Sequence, residues 1–94
     1  GTFMVIKTTR VINQIGLHAR EVTKFVDIAN RFECVILVEK QNDNGRVVNA
    51  KSLLGILSLD IKHQDEIKIM AHSGDDCEAA VEKLVKFIEK TEEE

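Results

Sequence analysis

Strand-like and helix-like periods alternate along the chain. Phe3 to Thr9 repeats every two residues, with Met4, Ile6 and Thr8 on one face and Phe3, Val5 and Lys7 on the other, which predicts a strand. Asn13-Gln14-Ile15-Gly16 breaks that pattern as a loop would. From Ala19 the period turns helical. Ala19, Val22, Val26 and Ala29 form a stripe widened by Phe25, Arg20, Glu21, Lys24 and Asp27 fall largely on the wet side, and the helix should end near Asn30-Arg31. Val35-Ile36-Leu37-Val38 is a continuous aliphatic run too short for a helix, and it predicts a strand buried on both faces or nearly so. Asn42-Asp43-Asn44-Gly45 marks a hairpin turn, because Asn and Gly tolerate φ > 0, and Val47 to Ala50 is the returning strand. Ser52 can cap a short helix over Leu53 to Ser58. Glu66 to Ala71 alternates again, with Ile67, Ile69 and Ala71 on one side, and His72-Ser73-Gly74 turns the chain. Asp75, with Glu78 three residues on, reads as the start of a last helix whose apolar stripe is Cys77, Val81, Leu84, Val85 and Ile88.

The order β-α-β-β-α-β-α, with three amphipathic helices beside four strands, implies an α+β chain: a two-layer open-faced sandwich whose sheet is covered on one face by helices. At 94 residues only one domain fits, over 1–94. The chain begins on Gly1 rather than Met, so residues 1–3 read as an expression remnant with Met4 as a native start, and Glu92-Glu93-Glu94 reads as a frayed acidic tail over 91–94.

Composition narrows the function classes. A net charge of −3 argues against a nucleic-acid partner, and four Phe without Trp or Tyr make no base-stacking platform. No apolar run is long enough to span a bilayer, so no membrane insertion is expected. Cys34 and Cys77 form neither a disulfide framework nor a metal knuckle, and read as buried free thiols in a reducing cytoplasm. His63 and His72 lack paired ligands nearby, so neither a metal nor a cofactor is expected.

The chemistry concentrates at Ile15-Gly16-Leu17-His18-Ala19-Arg20, where a histidine stands between a Gly-containing loop and a helix. The first amides of a helix have no internal partners and, with the macrodipole, form an anion site suited to phosphate. A neutral imidazole there carries a free lone pair and can act as a nucleophile. Arg20, two residues on, can offer a guanidinium fork to phosphate oxygens. Nucleophile, free amides and arginine together suit transient phosphorylation of His18. There is no Gly-rich P-loop, so the chain is a substrate of phosphoryl donors rather than a kinase.

Gly16-Leu17-His18-Ala19-Arg20 resembles the active-site motif of the HPr family, the histidine-containing phosphocarriers of the phosphoenolpyruvate-dependent sugar phosphotransferase system. The segment Asn49 to Leu59 is similar to that around the regulatory serine in family members of Gram-positive type, and the likeness runs from about Phe3 to Lys90. The resemblance implies an antiparallel sheet in the order 1-4-2-3. It implies a carrier rather than an enzyme: His18 takes a phosphoryl group on Nδ1 from enzyme I and hands it to sugar-specific IIA proteins, and Arg20 supports that group. It further implies Ser52 as a regulatory phosphorylation site, Leu53, Leu54 and Leu57 as a partner-docking face, an HPr kinase/phosphorylase and a catabolite-control regulator as further partners, and a cytoplasmic monomer. A short helix cannot bury every face, so some of Leu53, Leu54, Ile56 and Leu57 must be exposed, as an interface requires.

Two positions depart from the family pattern. Glu21 stands where most members have proline. It suits the helix start and could reach back to the His18 amide, yet it also sets a carboxylate beside the phosphoryl group, with a repulsion of order 1–3 kcal/mol per unit charge. Asp60 replaces a common glycine, and Asp tolerates the left-handed region better than most residues. An alternative reading is an HPr-like regulatory adaptor that acts through Ser52 while Glu21 slows or prevents transfer at His18.

Overall fold

The computed structural model of the chain describes residues 3–90. Its elements follow in the order β1 (Met4–Arg10), α1 (Ala19–Ala29), β2 (Val35–Lys40), β3 (Val47–Asn49), α2 (Leu53–Leu57), β4 (Glu66–His72) and α3 (Cys77–Lys90). The strands form one antiparallel sheet ordered β1-β4-β2-β3, as the family resemblance implied. The acidic tail expected over 91–94 and the first two residues of the expected N-terminal remnant lie outside the described residues.

Register decides which side chains meet the helices. Val5, Ala71 and Ile36 stand side by side, as do Lys7, Ile69 and Val38. This row faces inward, and Ile36, Val38, Ile67, Ile69 and Ala71 are fully buried. The alternate row, Met4-His72-Val35 and Ile6-Met70-Leu37, faces the uncovered side, where Ile6 and Val35 are exposed. The run Val35 to Val38 is therefore not buried on both faces. An unbroken aliphatic run reads the same whether or not a second layer lies behind it, and here none does.

The helical layer follows its stripes with two corrections. Helix α1 buries Val22, Phe25, Val26 and Ala29, but Ala19 is exposed, because the first turn projects past the edge of the core. Helix α3 buries Cys77, Ala80, Val81, Leu84, Val85 and Ile88, and its Phe87 ring meets Phe25 of α1 at 6.4 Å between centroids. The residue that leads into α3 is Asp76 rather than Asp75: its carbonyl accepts from the Ala80 amide at 2.9 Å. The Asp76 carboxylate turns away from its own helix and accepts from the Glu33 and Cys34 amides at 2.8 and 3.2 Å. A long-range demand outcompetes the local cap.

Those amides, the Glu33 one foremost, hold the Asp76 carboxyl below the usual carboxylate range. A depressed carboxyl contributes stability that is present above its unfolded value, near 3.9, and is lost as pH falls through the folded one. Asp76→Asn should therefore lower Tm at pH 7, with the gap to the parent closing below roughly pH 4. A gap independent of pH in thermal melts would mean that charge plays no part.

Candidate functional site

Residues 11–18 are pinned against residues 61–65. The Val11 amide donates to Asp65 O, the Gln64 amide to Val11 O and the Leu17 amide to Ile61 O, at 2.8–3.0 Å. Asn13 is 98% buried: its side chain accepts from the Ile15 amide, and its carbonyl meets the Gly16 amide and His63 Nδ1. Gly16 lies at φ +76°, and a Cβ there would come within 2.6 Å of Ile61 O and 2.8 Å of Lys62 Cα. Only glycine allows this backbone approach, which aims the next two residues. Leu17 turns into the core, and His18 emerges exposed.

His18 is the N-cap of α1, with extended backbone, and its carbonyl accepts the first helical bond from the Val22 amide at 2.9 Å. The preceding amides of the first turn have no helical acceptor and face the same end as the imidazole. Glu21 reaches back: Oε1 accepts from the His18 amide at 3.1 Å, and Oε2 lies 3.6 Å from Arg20 Nε. The reciprocal approach of the His18 ring to the Glu21 amide is looser and completes no hydrogen bond of good geometry. Glu21 is thus largely covered, whereas the Arg20 side chain is 70% exposed and able to swing onto an incoming anion.

Ser52 caps α2 through Oγ, which accepts from the Gly55 amide at 3.0 Å. Gly55 fits there because its open side abuts Ser52 Oγ and Val48. Lys51, just before, donates from Nζ to Phe32 O at 2.6 Å and accepts from Asn30 at its carbonyl, so Ser52 sits near the C-terminal end of α1. Ile61, just after α2, bonds Leu17 at the N-terminal end of α1. Helices α1 and α2 therefore run antiparallel, and the 11 residues of α1 set His18 and Ser52 about 16 Å apart along it. Asp60, which closes α2, takes φ +51° as its side chain permits.

The leucines divide as a short helix must. Ile56 is buried at 1% exposure, while Leu54 is exposed at 78% and Leu53 and Leu57 at about 40%. Ile15, in the loop before His18, is a further exposed apolar residue that periodicity gave no reason to single out. Leu54→Ala should change unfolding stability by less than about 1 kcal/mol, against about 2–5 kcal/mol for Ile56→Ala. Urea titration of both variants checks this; equal losses would return Leu54 to the core.

A groove of about 520 Å³ between α1 and α3, lined by Ile28, Ala79, Lys83 and Phe87, lies away from His18. Among the described residues no cluster of His, Cys, Asp and Glu suits a metal, and no helix is long and apolar enough to cross a membrane.

Comparison with known proteins gives the same direction as the geometry. Residues 5–90 match the family described as PTS HPr component phosphorylation site. The chain is 42% identical over 87 residues to the HPr-like protein Crh of Halalkalibacterium halodurans, covering 93% of this chain and 99% of that one. It is 36% identical to the phosphocarrier protein HPr of Treponema pallidum over 93 residues, 97% of this chain and all of the other. The crystal structure of HPr from Bacillus anthracis superposes with a TM-score of 0.82 at 42% identity, over 90% of this chain and 96% of that one. With its open-faced sandwich and a histidine at the start of α1, the chain belongs to the HPr family of phosphocarrier proteins of the phosphotransferase system.

Proposed function

We propose that this chain is a phosphoryl relay in which His18 accepts a phosphoryl group from phosphorylated enzyme I and passes it to sugar-specific IIA proteins. The observation that carries this reading is the exposed His18 at the N-cap of α1, set there by Gly16 and followed by the exposed side chain of Arg20. Transfer is a substitution at phosphorus. His18 Nδ1 forms the new N–P bond as the bond to the donor breaks, and a second substitution onto the acceptor's nucleophile returns the ring to its free state. The first amides of α1 and Arg20 stabilise the anionic group meanwhile. Leu53, Leu54 and Leu57 supply the apolar part of the docking face. Enzyme I with labelled phosphoenolpyruvate should label the chain on one acid-labile site; no labelling would refute the relay.

Glu21 tunes the relay. Its carboxylate already engages Arg20 and the His18 amide, so an incoming phosphoryl group meets both a repulsion and an arginine with a prior partner. Glu21→Gln keeps the size and the acceptor for the His18 amide while removing the charge. It should raise the equilibrium phosphorylation level roughly fivefold at low ionic strength, for about 1 kcal/mol of relieved repulsion, with a smaller gain in high salt. Identical levels in the two proteins at low salt would show the carboxylate to be only a helix-start residue.

A second reading, a regulatory adaptor governed by Ser52, is favoured by the Glu21 departure and by relatives named HPr-like proteins at 42% and 37% identity. Phosphate on Ser52 would lie about 16 Å from His18, beyond the ~8–10 Å screening length of physiological salt. It therefore acts through the leucine face that a partner must cover, adding about two negative charges to its edge. A chain that enzyme I labels only in the Glu21→Gln form would favour the adaptor over the relay.

A further inference from the structure

Cys34 and Cys77 are far apart in sequence, yet both are buried at one junction, where the chain entering β2 meets the first residue of α3. Gly74 is the wedge between them. A Cβ on Gly74 would sit 2.8 Å from Cys34 Cβ and 2.9 Å from its Cα, and the Cys77 thiol donates to Gly74 O at 3.3 Å. Asp76, the neighbour of Cys77 in the chain, accepts from the Cys34 amide at 3.2 Å, which clamps the two segments together. Both side chains thus pack against the same residue, Gly74. They are the only cysteines in the sequence, and the fold brings both against one glycine.

We propose that Cys34 and Cys77 close a reversible disulfide that staples the α1–β2 loop to the start of α3. The oxidant is a low-molecular-weight disulfide of the glutathione class. Cys77, at 4% exposure against 0% for Cys34, is the sulfur that such a reagent reaches first. Its thiolate attacks one sulfur of the reagent, forming a mixed disulfide and releasing one thiolate, which takes up the proton Cys77 lost. Cys34 then attacks Cys77 Sγ, the mixed S–S bond breaks and the second reagent thiolate leaves with the Cys34 proton. Two protein thiols give up two electrons, and one disulfide is reduced to two thiols. Burial, reinforced by the Asp76 carboxylate, pushes the Cys34 thiol up to about 12. The second step is therefore slow and waits on local opening, while the native contact favours the closed bond at equilibrium.

The proposal is independent of what His18 does, and its test involves no phosphorylation. The full chain is equilibrated with reduced and oxidised glutathione, native and in concentrated guanidinium chloride, then alkylated and mapped by mass spectrometry. The fold should raise the equilibrium constant for the Cys34–Cys77 bond roughly a hundredfold over the denatured chain, and by linkage the oxidised protein should melt roughly 10–20 °C higher. Cys34→Ser should leave only a mixed disulfide at Cys77. An equilibrium constant no higher in the native than in the denatured chain would overturn the proposal, since it would show that the fold resists the bond. Glutathione adducts held separately on both cysteines, or disulfides between chains, would overturn it equally. The parent chain alone decides the question if the serine variant fails to fold.

Discussion

His18→Ala is expected to abolish acid-labile labelling by phosphoenolpyruvate and enzyme I while leaving the fold in place. The ring is exposed and completes no hydrogen bond of good geometry, so its removal costs the helix start less than about 1 kcal/mol. Chemistry behaves differently from stability here. Without the imidazole no nucleophilic ring nitrogen stands at the N-cap to form the N–P bond, and the loss of transfer is complete rather than graded. Parallel melts and labelling gels separate the two effects. Label retained at any acid-labile site in the variant would assign the acceptor elsewhere, and a large fall in Tm would show that His18 is structural.

Gly16→Ala is expected to damage both fold and site. At φ +76° an L-residue is strained, and the added Cβ would meet backbone atoms of Ile61 and Lys62 that have no flexible end to move aside. Gly45 supplies the control: it has φ +69° but nothing within 4 Å of the added Cβ. Gly45→Ala should cost about 1 kcal/mol, the strain of the backbone alone, whereas Gly16→Ala should cost about 2–4 kcal/mol. Because the displaced loop carries Leu17 and His18, phosphorylation of Gly16→Ala should also slow roughly tenfold to a hundredfold, as for other small misplacements of a reacting group. Equal denaturation midpoints for the two alanine variants, with equal labelling rates, would contradict the loop-pinning role of Gly16.

The parts of the structure that were legible in the sequence are those set by local chemistry. The helix start at His18, the Ser52 cap and the stripes of α1 and α3 each follow from a few adjacent residues, while the left-handed Asp60 followed from the glycine common there in the family. The strand order came from the family resemblance, since periodicity finds strands but does not pair them. What was not legible depends on distant partners. The open face of β2 could not be read, because nothing in Val35 to Val38 tells how many layers surround the sheet. Asp75 and Asp76 are equivalent as caps until the Glu33 and Cys34 amides claim one of them. The seating of Gly16 on Ile61 and the meeting of Cys34 with Cys77 span more than 40 residues, so no local pattern records them. At the site, the reach of Glu21 back to the His18 amide was legible as a capping-box contact, but its second approach, to Arg20, is a matter of rotamer that only the folded chain settles.

The most direct measurement is a phosphoryl pulse-chase. The chain is labelled by enzyme I and phosphoenolpyruvate, separated from the donor and mixed with a IIA protein, while 31P NMR and peptide mapping follow the phosphorus. The expected result is a single Nδ1-phosphohistidine at His18 that decays as phosphate appears on the IIA protein, with no free phosphate needed to account for the loss. A chain that takes no label at His18, or that holds its label there while the IIA protein stays unphosphorylated, would contradict the relay.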